Sequence, residues 1–109
     1  MAGKVTLTVN NADNELAAFV NGITVYNRIT AGNPPLTDVV DLTPALEAGN
    51  NILVIIGINF DGPATFKGSL TIGPSPSGTT SFVIPFFATF PTTTPPQGIV
   101  WTQVFNIPF

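Results

Sequence analysis

Apolar and polar residues alternate from the fifth position onward. Val5, Leu7 and Val9 interleave with Thr6, Thr8 and Asn10, the period-two pattern of a strand with one buried face. Residues 10–14 read as a polar turn. A second strand is expected over residues 16–20. Asn21-Gly22, a dipeptide suited to the positive φ values of a tight hairpin, then sends the chain back as a third strand over residues 23–26. Residues 28–38 hold Gly32, Asn33, Pro34 and Pro35 and read as loop. Residues 39–42 form a short extended piece.

The stretch DLTPALEAGNNILVIIGINF, residues 41–60, is the one around which the rest is expected to pack. Thr43 is the expected N-cap of a helical turn, with Pro44 at the first helical position, where its missing N–H costs nothing. Leu46 is expected to point inward, and Gly49 ends the turn. Residues 52–58 are too few to cross a membrane and rich in β-branched side chains, so they predict a central strand buried on both faces. A turn follows over residues 59–63, with Asp61-Gly62 at its heart. Residues 65–72 predict a strand broken by Gly68, and residues 73–78 (GPSPSG) a surface loop. Residues 82–90 are strongly apolar, but Pro85 confines them to an edge or bulged strand. Residues 91–98 (PTTTPPQG) predict a second, extended loop. Residues 99–107 close the pattern, Val100, Thr102 and Val104 alternating with Trp101, Gln103 and Phe105. About eight strands and no long helix predict an all-β chain, an antiparallel β-sandwich or jelly roll. Its 109 residues suffice for a single domain spanning 1–109.

Composition narrows the chemistry. The chain has no histidine and no cysteine, which removes the usual general base, the commonest metal ligand and any thiolate. Charged residues make up 8% of it, three basic and six acidic, against about 25% in an ordinary soluble domain. A net charge of −3 with scattered Lys4, Arg28 and Lys67 argues against a nucleic-acid partner. The opening MAGKVTLTV lacks the continuous apolar core of a signal peptide, which predicts a chain made in a cytoplasm or exported without such a signal; membrane insertion is not expected. Little charge means little repulsion between copies, so a homo-oligomer is expected. The apolar segment FVIPFFATF and the closing NIPF add to that expectation, because one face of a sandwich strand normally meets solvent.

NADNELAAFVNG, followed by DLTPALEAGNNILVIIGINFDGPATFKGSL, resembles the galactose-binding-domain-like β-sandwich found beside the catalytic domains of β-galactosidases and α-L-rhamnosidases. The matching positions are Asp13, Asn21, Gly22, Asp41, Thr43, Leu46, Gly49, Asn51 and Asn59, and the match covers roughly residues 5–72. The chain departs from that family by starting too late for the usual first strand, a place the segment VWTQVFNIPF has the composition to fill. It also lacks the histidine and the paired arginines of the fucose-binding members. The resemblance implies a non-enzymatic, sugar-binding module, a lectin, with glycans as partners.

A sugar site needs an aromatic face for C–H groups and amides or carboxylates for hydroxyls. Trp101, the only tryptophan, is the candidate platform if it faces outward beside Gln103; the alternative is a core tryptophan. Tyr26, next to Arg28, is the second aromatic candidate. Arg28, Asn59, Asp61 and Asp13 are the candidate hydroxyl partners. Asp13, Glu15 and Asp61 are the candidate calcium ligands, although no closely spaced acidic run resembles a dedicated calcium loop; no other cofactor is expected. Catalysis is not expected. A glycosidase needs two carboxyls opposed across a cleft, and Asp38 and Asp41 read as local structure; a serine nucleophile would have no histidine to activate it. The alternative to a lectin is a self-assembling structural subunit, of a filament, shell or particle, with no small-molecule ligand.

Overall fold

The alternating segments form eight strands: β1 (Val5–Asp13), β2 (Glu15–Val20), β3 (Ile23–Ile29), β4 (Asp38–Asp41), β5 (Asn50–Asn59), β6 (Ala64–Ile72), β7 (Phe82–Phe90) and β8 (Gly98–Pro108). The structure is a computed structural model, and it describes residues 4–29, 37–60, 63–73, 82–90 and 98–109. Two antiparallel sheets of four result, one ordered β4-β1-β6-β7 and the other β3-β2-β5-β8. The expected all-β antiparallel sandwich of eight strands is the fold observed. The first sheet is called here the β1 sheet and the second the β5 sheet.

The two inner faces share one cluster of buried side chains, among them Leu7, Leu16, Leu53, Ile55, Phe66 and Ile107. Each fully buried side chain of this size stabilises the sandwich by about 1.5–3 kcal/mol. Phe66 reaches across the layers: a Cβ added at Gly57 of the opposite sheet would lie 2.7 Å from its ring. Glycine at that position is what allows the ring to rest on the β5 backbone.

The Asn21-Gly22 hairpin forms as expected, with φ of 51° and 83°, the pair of positive values that a type I′ turn requires. Asn21 then ties into the core through Asn51. The Asn51 Oδ1 accepts from the backbone N–H of Glu47 (2.8 Å) and from Asn21 Nδ2 (2.9 Å). Its Nδ2 donates to the Glu47 carbonyl (2.8 Å) and the Ile107 carbonyl (3.2 Å). One fully buried amide thus pins the hairpin, the segment before β5 and the end of β8 together.

Several local expectations change. The helical turn is a 3-10 turn over Thr43–Ala45 with Leu42 as N-cap, so Thr43 is its first residue rather than its cap. The Thr43 hydroxyl is drawn away to accept the N–H of Val5 (2.9 Å), and Asp41 Oδ1 accepts the N–H of Thr43 instead (3.0 Å). Leu46 does pack against the core. β1 runs through the polar residues to Asp13, leaving Asn14 alone between it and β2. β3 runs on past Tyr26 to Ile29, because β2 offers it a pairing partner along that whole length. Gly68 does not break β6; the ring of Phe86 lies over it. Pro85 does mark an edge strand, β7. The central strand β5 is buried on one face only: Leu53 and Ile55 are fully covered, whereas Ile52 on the other face is 49% exposed and Val54, Ile56 and Ile58 are half-buried.

Candidate functional site

Tyr26 and Arg28 lie on β3, at the edge of the β5 sheet, and Asp38 on β4, at the edge of the β1 sheet. The Tyr26 hydroxyl donates to Asp38 Oδ2 at 3.2 Å, and Arg28 Nη1 lies 3.6 Å from the same oxygen. Burial of the phenol, reinforced by the Asp38 charge, pushes the Tyr26 pKa up to about 12. Asp38 also accepts the N–H of Val39 at 3.0 Å. The cluster is a polar tie that closes this flank of the sandwich. Its hydroxyl, carboxylate and guanidinium groups are engaged with one another. A similar local tie holds Asp41, whose carboxyl is kept below the usual carboxylate range by its hydrogen bonds to Thr43.

The opposite flank is closed by aromatic rings. Trp101 of β8 stacks on Phe66 of β6 at a centroid distance of 5.8 Å and on Phe86 of β7 at 5.4 Å. Phe90 adds an edge-on contact to Phe66 at 6.3 Å. This placement reverses the expected phase of β8. Trp101 shares the inner side with buried Phe105 and Ile107, while Val104 is 54% exposed on the outside. A register shift in the β5–β8 pairing, between Gly57/Ile58, lies beside Trp101 and lets Val100 pack inward as well.

The remaining described candidates sit at one end. Asn59 is the last residue of β5 and fully buried, its backbone paired with Gly98, so it is not part of a presented loop. Asn14 ties the β1–β2 turn to that end: its N–H donates to the Ile58 carbonyl (3.2 Å), and its Oδ1 accepts the N–H of Phe60 (2.8 Å). Glu15 is half-buried between Ile29 and Ile58 on neighbouring strands. The Asp13 backbone pairs with Thr65; its side chain and the whole of Asp61 lie outside the described residues. Among the described residues, no three His, Cys, Asp or Glu side chains come together in a way that could hold a metal ion. Tyr26 and Arg28 are separated from Trp101 by the width of a four-stranded sheet, about 14 Å at normal strand spacing. The described sugar-site candidates therefore do not come together in one place.

What it does gather is uncharged apolar surface. No side chain after Lys67 carries a charge, and that part of the chain supplies both β7 and β8, the adjoining edges of the two sheets. Phe82 and Ile84 pair with Ile72 and Leu70 and so face inward, yet they are 64% and 38% exposed. Val83 and Phe87 are exposed on the outer side of the same strand. The distribution of charge along the sequence was the signal that could have located this flank. The two outer sheet faces also differ: Thr6, Thr8, Thr65, Ser69 and Thr71 mark the β1 sheet, and Phe19, Ile52, Val54, Ile56 and Val104 the β5 sheet.

What these features define is an antiparallel eight-stranded β-sandwich, polar-tied on one flank and apolar on the other. Compared with known proteins, the chain matches no family model, no curated protein and no solved structure.

Proposed function

We propose that this protein is a non-enzymatic structural subunit that works by associating with copies of itself. The observation that carries the reading is the β7–β8 flank, where inward-facing Phe82 and Ile84 remain exposed and neither strand carries a charged side chain to oppose a second copy. Exposed apolar surface of this kind marks an interaction site when it is contiguous. Static light scattering over a wide concentration range tests the proposal. A mass rising in whole multiples of 11.4 kDa is expected, and a chain that stays monomeric up to high concentration would end it.

The resemblance to galactose-binding modules supports a competing reading, a lectin that multiplies weak glycan sites by oligomerising. Its proposed platform, Trp101, is stacked on two phenylalanines, and of its other described side chains Tyr26 and Arg28 lie on the opposite flank and Asn59 at one end. A glycan array separates the two readings: specific, competable binding would favour the lectin, and none at high protein concentration would leave the structural role. The structural role needs no cofactor. Association is expected to be unchanged by EDTA, whereas a calcium-dependent lectin would lose binding.

A further inference from the structure

Among the described residues the two sheets end on four strand edges, and these indicate which part of the flank a second copy meets; this inference rests on the self-association proposed above. A sheet edge presents unpaired N–H and C=O groups that another strand can satisfy, and proteins blunt such edges with short strands, charges or proline. Three of the four edges are blunted in this way. β4 has only four residues and carries Asp38 and Asp41. β3 carries Arg28, held by Asp38. β7 carries Pro85, which has no N–H to offer. β8 is eleven residues long, has no charged side chain, its only proline is its last residue, Pro108, and its register shift beside Trp101 leaves residues 102–107 as a regular stretch with nothing to blunt it.

We infer that β8 pairs antiparallel with β8 of a second copy about a twofold axis, joining the two β5 sheets into one continuous eight-stranded sheet. Such an interface sets the same residues against each other from both sides, which a charge-free strand permits without like-charge repulsion. Thr102, Val104 and Asn106 lie exposed on its outer face and are compatible with one another across the axis. Pairing at β8 also brings the second copy's β7 flank alongside, covering the uncapped side chains of Phe82 and Ile84. The area suffices. Eleven extended residues run about 37 Å, and two stacked sheets with their side chains are about 20 Å deep, which gives a facing area on the order of 700 Å² per copy. Stable interfaces use roughly 600–1,000 Å² per partner.

The chain has no cysteine, so single cysteines report cleanly. Thr102→Cys, Val104→Cys and Asn106→Cys are oxidised in the full chain, singly and mixed in pairs, so that an axis centred on any of residues 102–106 sets two cysteines opposite each other, and are run on non-reducing gels. Opposed residues on antiparallel strands have Cα atoms about 4.5–5.5 Å apart, within disulfide reach. At least one variant or pair is expected to cross-link at least tenfold more than Thr71→Cys, on the other sheet. Light scattering adds a second readout. Thr102→Lys and Val104→Lys are expected to fall back toward 11.4 kDa with unchanged circular dichroism, because both side chains are exposed. Ile52→Lys, one strand inward on the same face, is expected to keep the assembly. If the wild-type chain associates but none of the three cysteines exceeds the Thr71 control, edge pairing is overturned and self-association stands through another surface. Dissociation by Ile52→Lys but not by the β8 lysines overturns it too, placing the contact on the sheet's face. A wild-type chain that is monomeric throughout removes both this inference and the function it rests on.

Discussion

Tyr26 is the only tyrosine in the chain, so its ionisation can be followed at one wavelength without interference. Burial and the neighbouring Asp38 hold the proton on the phenol up to about pH 12 in the folded state, whereas the unfolded phenol ionises near pH 10. Between those values the folded state binds more protons than the unfolded one, so stability falls as pH rises through that window and is unaffected below it. Ultraviolet titration is expected to give a midpoint near 12, and Tyr26→Phe should abolish this alkaline loss; a midpoint at 10 would mean that the Tyr26–Asp38 tie is absent in solution. Asp41 acts in the opposite direction, its lowered pKa giving stability that is lost as pH falls through the carboxylate range. Asn51 carries more weight than either. Asn51→Ala leaves the Ile107 carbonyl without its side-chain partner in a buried place and the Glu47 N–H without one in a part-buried place, which is expected to cost about 2 kcal/mol in urea unfolding.

Single strands show where alternation is a sufficient guide and where it is not. β1 is a clear case, because Val5, Leu7 and Val9 are apolar and their neighbours are not, so only one face can be the inner one. β8 is the opposite case. Val100 and Val104 on one phase compete with Trp101 and Phe105 on the other, and either set could be buried. Phe66 and Phe86 decide the matter, since both present rings that Trp101 can stack on and a valine cannot. β5 is ambiguous for the same reason: every side chain from Ile52 to Ile56 is apolar, so its single buried face became evident only once the opposing sheet was in place. The contact between Gly57 and the Phe66 ring gives a test at this scale. Gly57→Ala is expected to destabilise the sandwich by about 1–3 kcal/mol, as overpacking in a filled core does. Phe66→Ala in the same background should relieve part of that clash, so the two losses are expected to be less than additive in thermal unfolding.

At the scale of the molecule, the sandwich has two unlike flanks, a hydrogen-bonded one at β3 and β4 and an aromatic one at β7 and β8. An association surface without charges has no Coulombic component for salt to screen. Assembly is therefore expected to persist from low salt to 1 M sodium chloride by size-exclusion chromatography; dissociation on adding salt would point instead to Arg28, Asp38 and the charged flank. The sparse charge of the chain also predicts that raising the net negative charge by surface glutamate substitutions away from β8 weakens assembly only slightly.

By itself, the sequence determined the strands and their number. Period-two alternation, the Asn-Gly turn and the positions of proline are local properties, and a strand or hairpin answers to local rules. It also ruled out histidine and thiol chemistry, which depends on residue types alone. The outward Trp101 platform and the Thr43 cap failed because each depended on a partner far away in sequence: Phe66 and Phe86 for the first, the N–H of Val5 for the second. The grouping of eight strands into two sheets, with the charge-free β7 and β8 on one flank, was likewise decided only in three dimensions. Which edge is left open depends on which strands pair, and pairing is a property of the whole fold.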